Sequence, residues 1–243
     1  VITLSLFAVI ITIGGMKVIG YTDVIQVIVL IVGGLLTTYL ALDLVAKQFG
    51  NSSVFGAFST LTQQADSHFH MVLKKDNPYY KDLPGLSVIF GAMWVNNLAY
   101  WGCNQYIIQR TLGADLNTAR KGILFAAFLK LLVPLIVVIP GIAAYVLYQN
   151  GMFQQEMVDA AGVVKPDRAY PVLLDLLPGG LKGVAFAALT AAIVASLAGK
   201  ANSISTIFTL DIYKLYFNPQ ASEKHLIRVG RIVVWVAMLI AAL

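Results

Sequence analysis

Apolar positions run along this chain in long unbroken blocks, separated by short polar links. They neither alternate nor recur as a one-sided stripe. A helix needs about 20 apolar residues to cross a bilayer. Blocks of that kind fall at 24–45, 86–109, 122–148 and 183–213, with partial ones at 1–14 and 229–243. The pattern predicts an all-α polytopic membrane protein, with residues 1–243 forming a single transmembrane domain. The first block starts inside an apolar run without Met, and the last stops at "VVWVAMLIAAL" without a polar flank. No basic n-region or cleavage site marks a signal peptide. The expectation is therefore a fragment, truncated at both ends, from the middle of a longer protein.

The links carry their own signals. "IGGMKVIGYTDVIQVIV" reads as a helix end at Gly14 and Gly15, a tight turn and a new helix start. Thr22 and Asp23 would then occupy the new first turn, where a carboxylate meets free N–H groups and the positive dipole end. "RTLGADLNTARKG" reads as a compact basic link with Asp115 and Asn117 as caps. The stretch from Phe49 to Pro84 is a polar loop. "QNGMFQQEMVDAAGVVKPDRAYP" is a second one, with room for one short helix. The block after "LLPGGLKG" is long enough to tilt or protrude.

Composition agrees with the pattern: 58% of residues are hydrophobic and 12% charged. Soluble domains carry about 25% charge. The net charge of +5 does not point to nucleic acid. Eight Lys and Arg lie in the short links 15–21, 110–121 and 214–231, and seven in the longer loops 46–85 and 149–182. That density places the short links in the cytoplasm and the long loops outside. The lone Cys103 forbids an intrachain disulfide and reads as a buried, inert thiol. His68 and His70 form an isolated His-x-His in an outward loop, which reads as solvated surface.

Three polar features inside the blocks stand out. In "VNNLAYWGCNQYIIQR", Asn97, Tyr100, Trp101 and Asn104 fall at i, i+3, i+4 and i+7 and would share one helical face. An amide beside two amphipathic rings suits a sugar, because the amide pairs with hydroxyls while a ring covers the apolar face of a pyranose. The same residues also suit helix–helix hydrogen bonding and an interfacial aromatic belt, and spacing leaves the two readings balanced. Lys130 lies about eight residues into its block, roughly 12 Å deep at 1.5 Å per residue. A lipid-facing ammonium is costly there, so Lys130 is expected to point inward, to a hydroxyl or a carboxylate. Ala192, Ser196, Lys200 and Ser203 fall on one face of the 183–213 block. Small residues there permit close helix approach, and a hydroxyl near free carbonyls suits sodium. A lysine one turn from Ser196 is harder to explain by packing.

These segments together resemble the solute:sodium symporter family, and most closely its bacterial sodium/sugar branch. "YTDVIQ" resembles the segment opening that family's fifth core helix. "NLAYWGCNQYIIQRTL" is similar to the sixth, "KGILFAAFLKLLVPLIVVIPGIAAY" to the seventh, and "FAALTAAIVASLAGKANSISTIFTLDIYK" to the eighth. The resemblance implies a core of two five-helix repeats of inverted topology, with the binding site near the bilayer midplane. It implies sugar contacts at Asn97 and Lys130, an inner-gate aromatic at Tyr100 with Trp101 as its neighbour, and Asp23 on the cation's exit route. A helix-start carboxylate explains Asp23 equally well. Asn96, Asn104, Gln105 and Gln109 stay with the packing reading.

At the cation site the sequence departs from the family. Ala192 matches the small position and Ser196 the second of two consecutive hydroxyls, but the first is Ala195. Lys200 stands where the sugar branch usually has an uncharged residue. Sodium is expected at Ala192 and Ser196, or Lys200 partly or wholly replaces the ion, giving proton-coupled or uncoupled transport.

The resemblance thus implies a symporter of the inner (plasma) membrane, multi-pass, taking up a monosaccharide with sodium by alternating access. The runner-up substrates are an amino acid or a sialic acid, and a transporter-like sensor domain is the alternative of a different class. The partners implied are sugar, sodium ion and lipid bilayer, without nucleic acid or cofactor. No nucleophile–base pair or metal-ligand set is visible, so no enzyme is implied.

Overall fold

A computed structural model describes residues 2–14, 16–83 and 85–242, so Gly15 and Pro84, named above as a helix end and a loop end, lie outside the described residues. The described residues are overwhelmingly helical. Ten α-helices follow in chain order: α1 (Ile2–Ile13), α2 (Met16–Phe49), α3 (Val54–Gln64), α4 (Met93–Leu98), α5 (Gln105–Thr111), α6 (Leu116–Lys130), α7 (Val133–Gln149), α8 (Ala169–Leu174), α9 (Gly179–Thr206) and α10 (Glu223–Ala242). Stretches wound as π-helix occupy Val88–Ala92, Ala99–Cys103 and Ile207–Phe217.

Among the described residues four helical segments are long and apolar enough to cross a membrane: Val18–Phe49, Leu116–Gln149, Gly179–Phe217 and Glu223–Ala242. Their apolar side chains are largely exposed, as at Val24, Ile25, Ile28 and Val32 along α2. A soluble monomer rarely tolerates so large an apolar surface. Lipid tails, or further apolar helices, accept it without cost.

Three details differ from the sequence reading. The helix end expected at Gly14 is present, but α2 starts at Met16, so Thr22 and Asp23 lie inside it and not in its first turn. The Thr22 hydroxyl donates back to the Val18 and Ile19 carbonyls at 3.2 and 2.9 Å, as threonines do in a helix interior. Second, 122–148 is not one regular helix. Pro134 lacks an N–H and disfavours a regular turn before it. The ladder accordingly tightens, with Leu131 and Leu132 donating to Phe128 and Leu129 before α7 resumes. Third, Cys103 is exposed, at the end of a π-helical stretch. Asp115 does cap α6, accepting from the Asn117 and Thr118 amides at 3.0 Å, whereas Asn117 lies within the helix.

The chain divides into two compact units, with the divisions falling inside helices. The first comprises residues 1–28, 98–119 and 187–243. Its core joins Ala8 and Val9 of α1, Ile19 of α2, Val194, Ala198 and Ala201 of α9, and Val234 and Met238 of α10. The second comprises 29–97 and 120–186. Its core gathers Leu42 and Val45 of α2, Leu61 of α3, Ile142, Val146 and Leu147 of α7 and Leu173 of α8. Within it Gly34 admits α7 so closely that a Cβ there would lie 2.9 Å from the Ile136 Cβ. The Thr38 hydroxyl reaches the Leu135 carbonyl at 2.8 Å.

The outer loops pack on this second core. His68 lies against the Tyr145 ring at 4.5 Å, while His70 turns to Asp66 at 3.3 Å. The two imidazoles thus have separate partners, and among the described residues no cluster of metal-ligating side chains forms.

Candidate functional site

The segment "VNNLAYWGCNQYIIQR" is helical but not regular. A π-helical turn over Ala99–Cys103 gives way at Asn104 to extended backbone, φ −83° and ψ 111°. The Asn104 side chain accepts the Tyr106 amide at 3.0 Å and so starts α5 as its cap. Asn104 therefore leaves the stripe that an uninterrupted α-helix would have formed with Asn97, Tyr100 and Trp101. Gly102, a weak helix former, and Asn104, a strong cap, were the signals in the sequence. A helix interrupted well inside an apolar block is tolerated only where protein or a watery cavity satisfies the freed backbone.

Along the same segment, the exposed Asn97 carboxamide donates to the Met93 carbonyl at 2.8 Å. One of the two amide hydrogens is used in this way. Tyr100 and Trp101 meet edge to face, with centroids 5.3 Å apart and planes at 86°. Lys130 is the last residue of α6, exposed where the chain tightens before Pro134. The inward-pointing lysine expected from the sequence is thus, within the described residues, a lysine at a helix break.

A second polar group assembles within the first unit around Arg110. Its guanidinium donates to the Asp23 carboxylate at 2.9 Å, both side chains 28% exposed, and lies over the Tyr106 ring at 4.0 Å. Gly199 of α9 makes room for this arrangement. A Cβ there would stand 2.4 Å from the Tyr106 ring and 3.0 Å from the guanidinium. One turn on, the Ser203 hydroxyl donates to the Gly199 carbonyl at 3.0 Å and lies 3.3 Å from the Gln109 amide oxygen. Asp23 therefore does not serve a helix start. It joins α2 to α5 through an ion pair. Gln109 thus makes a packing contact, as the sequence reading had it, whereas that reading missed Arg110, Tyr106 and Gly199, although an arginine closing an apolar block and needing a counter-charge was a usable signal.

The face of α9 that carries Ala192, Ser196 and Lys200 is open. Ser196 and Lys200 are exposed and Ala192 half-buried, while Ala195, Ala198 and Gly199 turn into the packed side. Among the described residues Lys200 forms no ion pair. One hydroxyl and a cation thus share a surface one helical turn apart, and the position that lacks a hydroxyl, Ala195, faces inward. Of the residues singled out in the sequence, Asn97 and Lys130 belong to the second unit, and Asp23, Tyr100, Trp101, Ala192, Ser196 and Lys200 to the first.

Comparison with known proteins gives a consistent picture. The model of the sodium:solute symporter family matches residues 1–243. The chain is 48% identical over its whole length to a sodium/glucose cotransporter of Vibrio parahaemolyticus, covering 46% of that protein. It is 34% identical over 99% of its length to human sodium/myo-inositol cotransporter 2, covering 37% of that protein. The chain thus spans less than half the length of these curated relatives. In fold it is similar to a substrate-bound, outward-open Na+-coupled sialic acid symporter, with a TM-score of 0.78 and 24% identity over 97% of this chain and 48% of that one.

Proposed function

Because the chain belongs to the sodium:solute symporter family, we propose that it forms part of a secondary active carrier that takes up a monosaccharide with sodium by alternating access. The observation that carries this reading is the 48% identity, along the entire chain, to a sodium/glucose cotransporter. The residues support it. Asn97 presents an amide oxygen, and Lys130 an ammonium, to sugar hydroxyls. Tyr100 and Trp101 close beneath the sugar. The Ser196 hydroxyl and the Ala192 backbone offer oxygen to sodium, and Asp23 lies on its way to the cytoplasm. The proposed location is the inner membrane, crossed several times.

Coupling asks that sodium and sugar both favour the outward-open arrangement. A gradient does work only through such a difference in affinity between states. Sugar uptake into liposomes under an imposed sodium gradient tests the reading. Asn97→Ala is expected to abolish or severely weaken uptake while the protein still reaches the membrane at normal levels. Unchanged uptake by Asn97→Ala would remove Asn97 from the site. Uptake of sialic acid or an amino acid in preference to sugars would replace the substrate class.

A second reading rests on Ala195 and Lys200. With one hydroxyl missing and an ammonium beside Ser196 on the same open face, Lys200 supplies the positive charge that sodium otherwise brings. Transport would then be proton-coupled or uncoupled. Under this reading uptake persists without a sodium gradient and changes with Lys200→Met. Strict sodium dependence that survives Lys200→Met sinks it.

A further inference from the structure

Away from these residues, the first unit contains a pocket of about 340 Å³ between α1, α10 and the helix running from α9 into its π-helical end. Its polar lining comprises Thr12, Asn202, Ser205, Thr206, Thr209 and Arg231. Three hydroxyls are committed to backbone: Thr12 to the Ala8 carbonyl at 2.7 Å, Ser205 to Gly230 at 2.8 Å and Thr206 to Asn202 at 2.9 Å. Thr209 differs. It is only 5% exposed, and its hydroxyl oxygen is buried with no hydrogen-bond partner among the described residues. A hydroxyl left unpaired inside an apolar helix bundle is costly, which points to a ligand that completes it. Gly230 keeps the space open, since a Cβ there would lie 3.0 Å from the Ser205 hydroxyl and 3.5 Å from that of Thr209.

Two further observations define the ligand. Arg231 lines the pocket and no acidic residue does, so its charge suits an anion. Its surroundings along α1 and α10 matter too. One turn further along each helix a second, almost wholly apolar cavity is lined by Leu6 and Val9 of α1 and Trp235, Met238 and Leu239 of α10. Along α1 and α10 the cavity nearest the 214–231 link is therefore lined by polar residues and Arg231, and the next one by apolar residues. A free sugar or phosphate would leave the apolar part empty, whereas an amphiphile with an anionic head fills both. We propose that these two cavities together bind an anionic phospholipid from the leaflet on the side of the 214–231 link, its phosphate held by Arg231 and the Thr209 hydroxyl and one acyl chain lying between α1 and α10.

The test is native mass spectrometry of the intact protein extracted from vesicles of phosphatidylglycerol and phosphatidylcholine in equal parts. The expected result is retained phosphatidylglycerol. Arg231→Gln should reduce it about tenfold and Thr209→Val about fivefold, the scales of losing one charge-assisted and one neutral hydrogen bond. Thr209→Ser should restore the wild-type level, which separates loss of the hydroxyl from damage to the fold. Lys224→Gln, a charge on the same helix outside the pocket, should fall clearly short of the Arg231→Gln loss. Equal losses for Lys224→Gln and Arg231→Gln would reduce the effect to general surface attraction and overturn the proposal. So would wild-type retention by Thr209→Val, or a structure in these vesicles with protein side chains filling the pocket.

Discussion

The second unit closes over Leu61, Leu147 and Leu173, none of which exposes any surface. Its outer loops add apolar cover from Phe49, Phe69, Met152 and Phe153. The first unit buries Ile19 as completely, but smaller side chains make up more of its core, with Ala8, Val9, Ala198 and Ala201 at or near zero exposure. Those small residues bring helices close enough for hydroxyls, an amide and an ion pair to span them: Thr12 to Ala198, Ser203 to Gln109, Ser205 to Gly230 and Arg110 to Asp23. Both regions have an apolar core, and the second also has the Thr38–Leu135 bond, but the first carries more directional contacts between helices in close approach. Directional contacts can be exchanged for others of similar strength, whereas a packed aliphatic core loses everything when it separates. The first unit is thus the part suited to changing its partners, and the second the part suited to staying as it is.

Substitutions can break this comparison, starting with the largest effect. Leu147→Ala opens a cavity in the second core and should cost about 2–5 kcal/mol. Thermal unfolding in detergent is expected to show that loss, with uptake per folded molecule unchanged. Uptake that falls further than the folded fraction would show that the second unit takes part in the working motion. Gly199→Ala comes next, at about 1–3 kcal/mol of overpacking. Its methyl must displace the Tyr106 ring and the guanidinium, so transport is expected to suffer more than melting temperature. An equal effect on both would put this contact with the scaffold.

Arg110→Gln leaves Asp23 without its counter-charge and should cost about 1.5–3 kcal/mol, the scale of a hydrogen bond to a charged group. Pairing it with Asp23→Asn in a double-mutant cycle measures the coupling directly, and additive losses would mean the pair contributes nothing in the membrane. The smallest effect concerns Asp115, whose carboxyl is held below its ordinary value of 3.8 by the Thr118 hydroxyl and the Thr118 and Asn117 amides. A depressed folded value means the cap contributes fully above 3.8 and is lost only as the pH falls through the lower, folded value. Amide exchange at the start of α6 should therefore quicken only on strong acidification, and an onset near neutrality would contradict the cap.

What the sequence made legible follows from what helices in lipid demand. Long apolar runs leave the backbone one way to satisfy itself, so the blocks at 24–45, 183–213 and 229–243 pointed to helices that the structure places at 16–49, 179–206 and 223–242. The interruptions were harder. Pro134 and the Gly102–Asn104 stretch are ordinary residues in an apolar block, and whether a helix bends or breaks at them depends on what surrounds them. The helix end expected at Gly14 is present, since α1 stops at Ile13, but the next helix starts at Met16 and so reaches Thr22 and Asp23 as interior positions. The contacts of Asp23 were the least readable, because its partner lies 87 residues away and only folding brings them together.

The bend at Asn104 has a mechanical consequence. Between Ala99 and Gln105 the chain has already surrendered the regular ladder, and a side chain has taken up one of the amides that this released. The short rod that follows, bearing Tyr106 and Arg110 along its length, can therefore swing through a change in two torsions at one residue. No further main-chain bond need be broken. A lever of seven residues is hinged at one end and tethered toward the other by the Arg110–Asp23 ion pair and the Ser203–Gln109 hydrogen bond, so its stop and its release are set by contacts to two other helices.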